Sequence, residues 1–180
     1  MDLLAIIRIL VKNGQFSFDE YNEALARLEF SSYEKNDKPC QVPNTASLKV
    51  IKLKGKAIIN WVHLRNWPLV VRMLIRNLDD PALALGLQLH EIVERLTAYE
   101  FYPYEIDVLE DRITEYLVMR AKLQMDYPTV TPKPKPKHHF LWSVFGLLNL
   151  ASRTDFYFFQ SLWQNGKTLW ATNRLLDGTI

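Results

Sequence analysis

The stretch from Asp2 to Asn13 is apolar almost all the way round, and Asn13-Gly14 then ends it as a helix C-terminus ends. A second helix is predicted from Ser17. Glu20 follows three residues later, the spacing at which each side chain reaches the other's backbone N–H. Tyr21, Leu25 and Leu28 continue at helical spacing, and Phe16 can pair with Tyr21 as a hydrophobic staple. Residues 31–47 read as a polar, turn-rich loop, and residues 48–56 as a short strand or the start of the next helix. From Ala57 the pattern is helical, with Trp61, Leu64 and Trp67 on one face. Pro68 is expected to kink or break this helix before Leu69–Leu78 continues it.

Asp80-Pro81 marks another helix start, with Asp as N-cap and Pro at the first helical position. Leu85, Leu89, Ile92, Val93 and Leu96 form its predicted buried stripe. Pro103 opens a further helix lined by Ile106, Leu109, Ile113, Tyr116, Leu117 and Leu123, and Pro128 ends it. Pro132-Lys133-Pro134-Lys135-Pro136-Lys137 cannot be helix or central strand, because its prolines fix φ and remove donors. Its expected form is polyproline II. Beyond it, residues 140–150 are apolar on every side, and residues 156–163 are dense in aromatics. No repeat of about 20–50 residues is visible. The fold class read from this pattern is mainly α: a single helical domain over residues 1–128, a Pro/Lys-rich strap over 129–139, and an apolar, weakly integrated C-terminal segment over 140–180.

Composition narrows the function classes. The chain has 180 residues, 48% of them hydrophobic and 23% charged, as in a globular protein. Twenty-two basic residues against 20 acidic ones give a net charge of +2, so nucleic-acid contact would have to come from local clusters. A single cysteine, Cys40, permits neither an internal disulfide nor a cysteine-based zinc site, which fits an intracellular protein. The N-terminal run lacks a basic leader and carries Arg8, so it does not read as a signal peptide. No apolar run reaches the roughly 18 residues that span a bilayer.

Candidate chemistry is sparse. No phosphate-cradling glycine loop, nucleophile elbow or His-Glu-x-x-His motif occurs. His90 and Glu94 share a helix face and supply at most two metal ligands; that face reads as solvated or partly packed. His63, between Trp61 and Trp67, reads as a packed interior or interface histidine. His138 and His139 are neighbours, so their rings point apart in an extended chain. Lys49, Lys52, Lys54 and Lys56 form one positive cluster, and Lys133, Lys135 and Lys137 another. Both can neutralise phosphate without reading sequence, or can be solvated segments. Trp61 and Trp67 can stack on bases or belong to the core. No metal, cofactor or small-molecule substrate is expected.

Pro136-Lys137-His138-His139-Phe140-Leu141 resembles a segment of the transposase-like proteins of animal cut-and-paste DNA transposons. Asp2-Leu3-Leu4 is similar to their His-Asp-Leu-Leu-Glu-Gly segment, Phe16–Phe30 to a short helix ending in Phe, and Leu53-Lys54-Gly55-Lys56-Ala57 to a Leu-Lys-Gly-Ser-Ala turn. Trp61 and Pro68 also match, so the likeness covers roughly residues 1–141. The resemblance implies an RNase H-like core in which three acidic residues hold two divalent metals for phosphoryl transfer. Only Asp2 carries over as a candidate ligand. Met1 replaces the motif's His, Ala5-Ile6 replaces Glu-Gly, and the sequence diverges after Leu141 without a matching acid. One carboxylate cannot hold two metals. The expectation is therefore a catalytically inactive, truncated and diverged helical piece with weak binding to DNA or protein. The alternatives are a helical protein-interaction module using Trp61, Trp67 and the strap, or a metal-dependent nuclease using Asp2 with glutamates brought near it by folding.

Overall fold

The computed structural model describes residues 2–44, 53–98 and 102–131. Among them are five helices and no strand: α1 (Asp2–Lys12), α2 (Phe18–Arg27), α3 (Ala57–Arg72), α4 (Pro81–Leu96) and α5 (Pro103–Asp126). The fold is mainly α, as the apolar periodicity predicts. All five helices belong to the unit formed by residues 1–134, while the unit from residue 135 to 180 lies outside the described residues.

Helix α1 is buried from Leu3 to Leu10, which is why its sequence is apolar on every side. Arg8 is buried with the rest, and desolvation lowers its pKa from the usual arginine value. The helix ends in a Schellman motif. Gln15 N–H donates to the Leu10 carbonyl at 3.0 Å and Gly14 N–H to the Val11 carbonyl at 3.0 Å. This geometry needs the left-handed backbone that Gly14 supplies at φ 74°.

The start of α2 matches its sequence signature. Glu20 N–H donates to Ser17 Oγ at 3.1 Å, and Ser17 N–H donates to Glu20 Oε2 at 2.6 Å. The Phe16 and Tyr21 rings stack at 5.5 Å. The loop that follows is tied back at one point. Asn22 Nδ2 donates to the Val42 carbonyl at 2.9 Å, and Val42 N–H donates to Asn22 Oδ1 at 2.8 Å. One amide side chain thereby replaces a short stretch of backbone pairing, and Val42 is buried.

Helix α3 continues across Pro68, so of the two expected outcomes the break does not occur, and it departs from expectation by stopping at Arg72 rather than running on towards Leu78. An interior proline removes a donor and costs about 3 kcal/mol or more in isolation. The carbonyl left without its helical donor is that of Leu64; the next carbonyl, that of Arg65, accepts from His90 Nε2 on α4 at 3.2 Å. The stop comes from outside the segment. Gln15 Oε1 accepts from Arg76 N–H at 3.1 Å and from Asn77 N–H at 2.9 Å, so these amides are satisfied without further helix.

Helix α4 begins as predicted, with Ala82 N–H donating to Asp80 Oδ1 at 2.8 Å and Pro81 at the first helical position. Of its predicted stripe, Leu85 and Ile92 are buried, while Leu89, Val93 and Leu96 are half-buried. Gly86 lets α4 approach α3 closely: a Cβ placed there would lie 2.6 Å from Cζ3 of Trp67. Helix α5 packs on α4 with Leu109, Ile113, Tyr116 and Leu123 buried; Ile106 and Leu117 are half-buried.

Candidate functional site

Asp2, the one carried-over candidate ligand, sits in the first turn of α1, where its charge complements the positive end of the helix dipole. It faces α5. Tyr116 Oη donates to Asp2 Oδ2 at 2.9 Å, and Arg120 donates to Asp2 Oδ1 from Nε at 3.2 Å and from Nη2 at 3.1 Å. The Arg120 side chain is 3% exposed and that of Asp2 15%. Burial, followed by the nearby Asp2 charge, raises the Tyr116 pKa well above its ordinary value, so the phenol stays protonated and donates. The carboxylate therefore joins α1 to α5 as a desolvated, charge-assisted lock. No group of three or more His, Cys, Asp or Glu side chains that could hold a metal occurs among the described residues.

Sequence reasoning missed Arg120. Its signal is positional: Leu109, Ile113, Tyr116, Arg120 and Leu123 recur at alternating four- and three-residue spacing, so the arginine occupies a core position of the α5 stripe.

His63 is the packed interior histidine expected from its neighbours. It is 1% exposed, and its Nε2 lies 2.8 Å from the Oη of Tyr21, itself fully buried. Burial lowers the His63 pKa to about 4 and raises that of Tyr21 well above 10. Both groups are neutral at physiological pH, and the bond between them joins α2 to α3. A second polar knot gathers at the end of α1. Asn13 Nδ2 and Gln15 Nε2 both donate to Asp80 Oδ2, at 2.9 and 3.0 Å. Tyr127 Oη donates to Asn13 Oδ1 at 2.9 Å. Buried Asp80 thus caps α4 with one oxygen and anchors the α1–α2 turn with the other.

The remaining candidates divide sharply. Trp67 is fully buried, so it can neither stack on a base nor meet a partner. Trp61 is half-buried, with the Arg65 guanidinium 5.3 Å from its ring centroid. His90 and Glu94 serve α3–α4 packing, His90 through the Arg65 carbonyl and Glu94 Oε2 at 3.9 Å from Arg65 Nε. Lys54 and Lys56 are exposed immediately before α3. Between them Gly55 adopts φ 107°, and the first turn of α3 holds no acidic residue. Neither lysine has an ion-pair partner among the described residues. Lys49, Lys52, Lys133, Lys135, Lys137, His138 and His139 lie outside the described residues.

No described helix is long and apolar enough to cross a membrane. No family model, curated protein or solved structure matches this chain.

Proposed function

We propose that this chain is a catalytically inactive helical module of transposase-like descent that binds nucleic acid weakly through its lysines. The observation that carries the binding half is the start of α3. There two exposed lysines, without carboxylate partners among the described residues, flank a glycine turn at the positive end of a 16-residue helix. A phosphate placed there would meet lysine charge and helix dipole together. Such contacts carry no base information, so the binding is not sequence-specific. The non-catalytic half is supported by Asp2, whose two carboxylate oxygens are engaged by Tyr116 and Arg120. The descent rests on the resemblance across residues 1–141.

Fluorescence anisotropy with a labelled DNA duplex tests the reading. Affinity is expected to rise steeply as salt is lowered. Lys54→Ala with Lys56→Ala should reduce the salt slope by about 0.9 for each phosphate that is no longer neutralised. Substituting Lys133, Lys135 and Lys137 should reduce it further. Absence of binding at low salt, or a salt slope unmoved by both sets of substitutions, would refute nucleic-acid binding. A second reading, a protein-interaction module, draws on Leu69 and Met73. They stand one helical turn apart at the end of α3 and are 53% and 84% exposed. Salt-insensitive capture of a folded partner, lost on Met73→Lys, would favour it.

A further inference from the structure

Helix α5 carries a second stripe on the side away from its buried one. Val108, Asp111, Glu115, Val118, Lys122 and Met125 recur at alternating three- and four-residue spacing and therefore share a face. All six are exposed, Val118 and Met125 to 66% and 75%. Asp111 and Lys122 have no ion-pair partner among the described residues. Two helices pair along positions so spaced, which in a coiled coil are apolar; here three of the six are apolar and three are charged. The charges restrict which partner fits.

We infer that this face pairs with the same face of a second copy of the chain, α5 against α5, antiparallel about a two-fold axis. In the register that brings Asp111 of each copy opposite Lys122 of the other, Val108 meets Met125 and Glu115 meets Val118. Two opposite-charge pairs and two apolar pairs, beside two Glu115–Val118 contacts, then form at once, because a two-fold axis repeats every contact. Other arrangements are penalised. Parallel pairing sets Asp111 on Asp111, Glu115 on Glu115 and Lys122 on Lys122. Sliding the antiparallel pair by one heptad in either direction breaks both Asp111–Lys122 pairs, and in one direction it also sets Glu115 against Asp111. The seam is about 26 Å long at 1.5 Å per residue and holds only three apolar side chains per copy. The dimer is accordingly a weak, reversible one of the small-interface class.

Sedimentation velocity of the full chain, from micromolar to millimolar concentration, is the test. The expected result is a reversible monomer–dimer equilibrium. Asp111→Lys alone and Lys122→Asp alone should each weaken dimerisation at least roughly tenfold, since two attractive pairs become repulsive together. The double variant Asp111→Lys, Lys122→Asp should recover the original association. Both positions are exposed, so the single variants should retain the parental circular dichroism and melting temperature. A monomer at every concentration would overturn the inference. So would an association that ignores the single charge reversals, or a double variant no better than the singles. A DNA-binding result in either direction leaves this outcome unaffected.

Discussion

Adding one methyl group at Gly86 is expected to destabilise this protein, although the same change in an exposed helix would stabilise it. Alanine is favoured over glycine in a helix interior by about 0.8–1 kcal/mol. Gly86 lies inside α4 and needs no unusual backbone angle, so that gain applies in full. Opposing it is Trp67. The new Cβ would sit 2.6 Å from Cζ3 and 3.0 Å from Cζ2 of the indole, and closer still to Cη2. Contacts that short force one partner to move. Trp67 is fully buried, so its ring cannot swing into solvent, and α3 and α4 would have to separate. Overpacking of this sort costs about 1–3 kcal/mol and occasionally more. Contact with three ring atoms at once places the cost at the upper end, leaving a net loss of about 2 kcal/mol. For a chain of this length that corresponds to a fall in Tm of roughly 4–8 °C. Urea denaturation followed by tryptophan fluorescence measures the change directly. On a Trp67→Phe background, which removes the outer ring of the indole, Gly86→Ala should cost less, with a coupling of about 1–2 kcal/mol. A Tm that is unchanged or raised by Gly86→Ala, or equal costs on the two backgrounds, would refute the close-packing argument.

Two further outcomes follow from the buried polar groups. His63 has a folded-state pKa of about 4 against an ordinary value of 6.5, so the unfolded chain takes up a proton that the folded one refuses. Its contribution is constant above about pH 6.5 and is lost as pH falls towards about 4, reaching about 3 kcal/mol; urea midpoints measured across that range should show the decline, and His63→Leu should flatten this part of it. Arg120→Ala should cost about 3 kcal/mol, because it removes a two-pronged, buried guanidinium from the largely desolvated Asp2 carboxylate. Pairing it with Asp2→Asn should recover part of that loss in thermal melts; additive losses would show that the two side chains do not act as a lock.

The helices of this protein are legible because their signals are local. Ser17 and Glu20 cap α2 across three residues, Asp80 and Pro81 open α4 side by side, and Asn13-Gly14 closes α1 within one turn. Each depends on groups that the chain places together whatever the rest of the molecule does. The apolar repeat of α5 likewise marks four of its buried positions, Leu109, Ile113, Tyr116 and Leu123. The end of α3 was not legible, since Gln15, about 60 residues away in sequence, supplies the acceptor for the amides beyond it. Asp2 illustrates the same limit at the candidate site. From sequence it is an acid awaiting a metal, whereas folding brings Tyr116 and Arg120 to its two oxygens, more than 110 residues along the chain. The helical class, most helix starts and the exposed charge at Lys54 and Lys56 can thus be read from the order of residues, because propensity, capping and periodicity act over a single turn. Which polar side chains end up desolvated and paired emerges with folding, because it depends on what distant segments place opposite them.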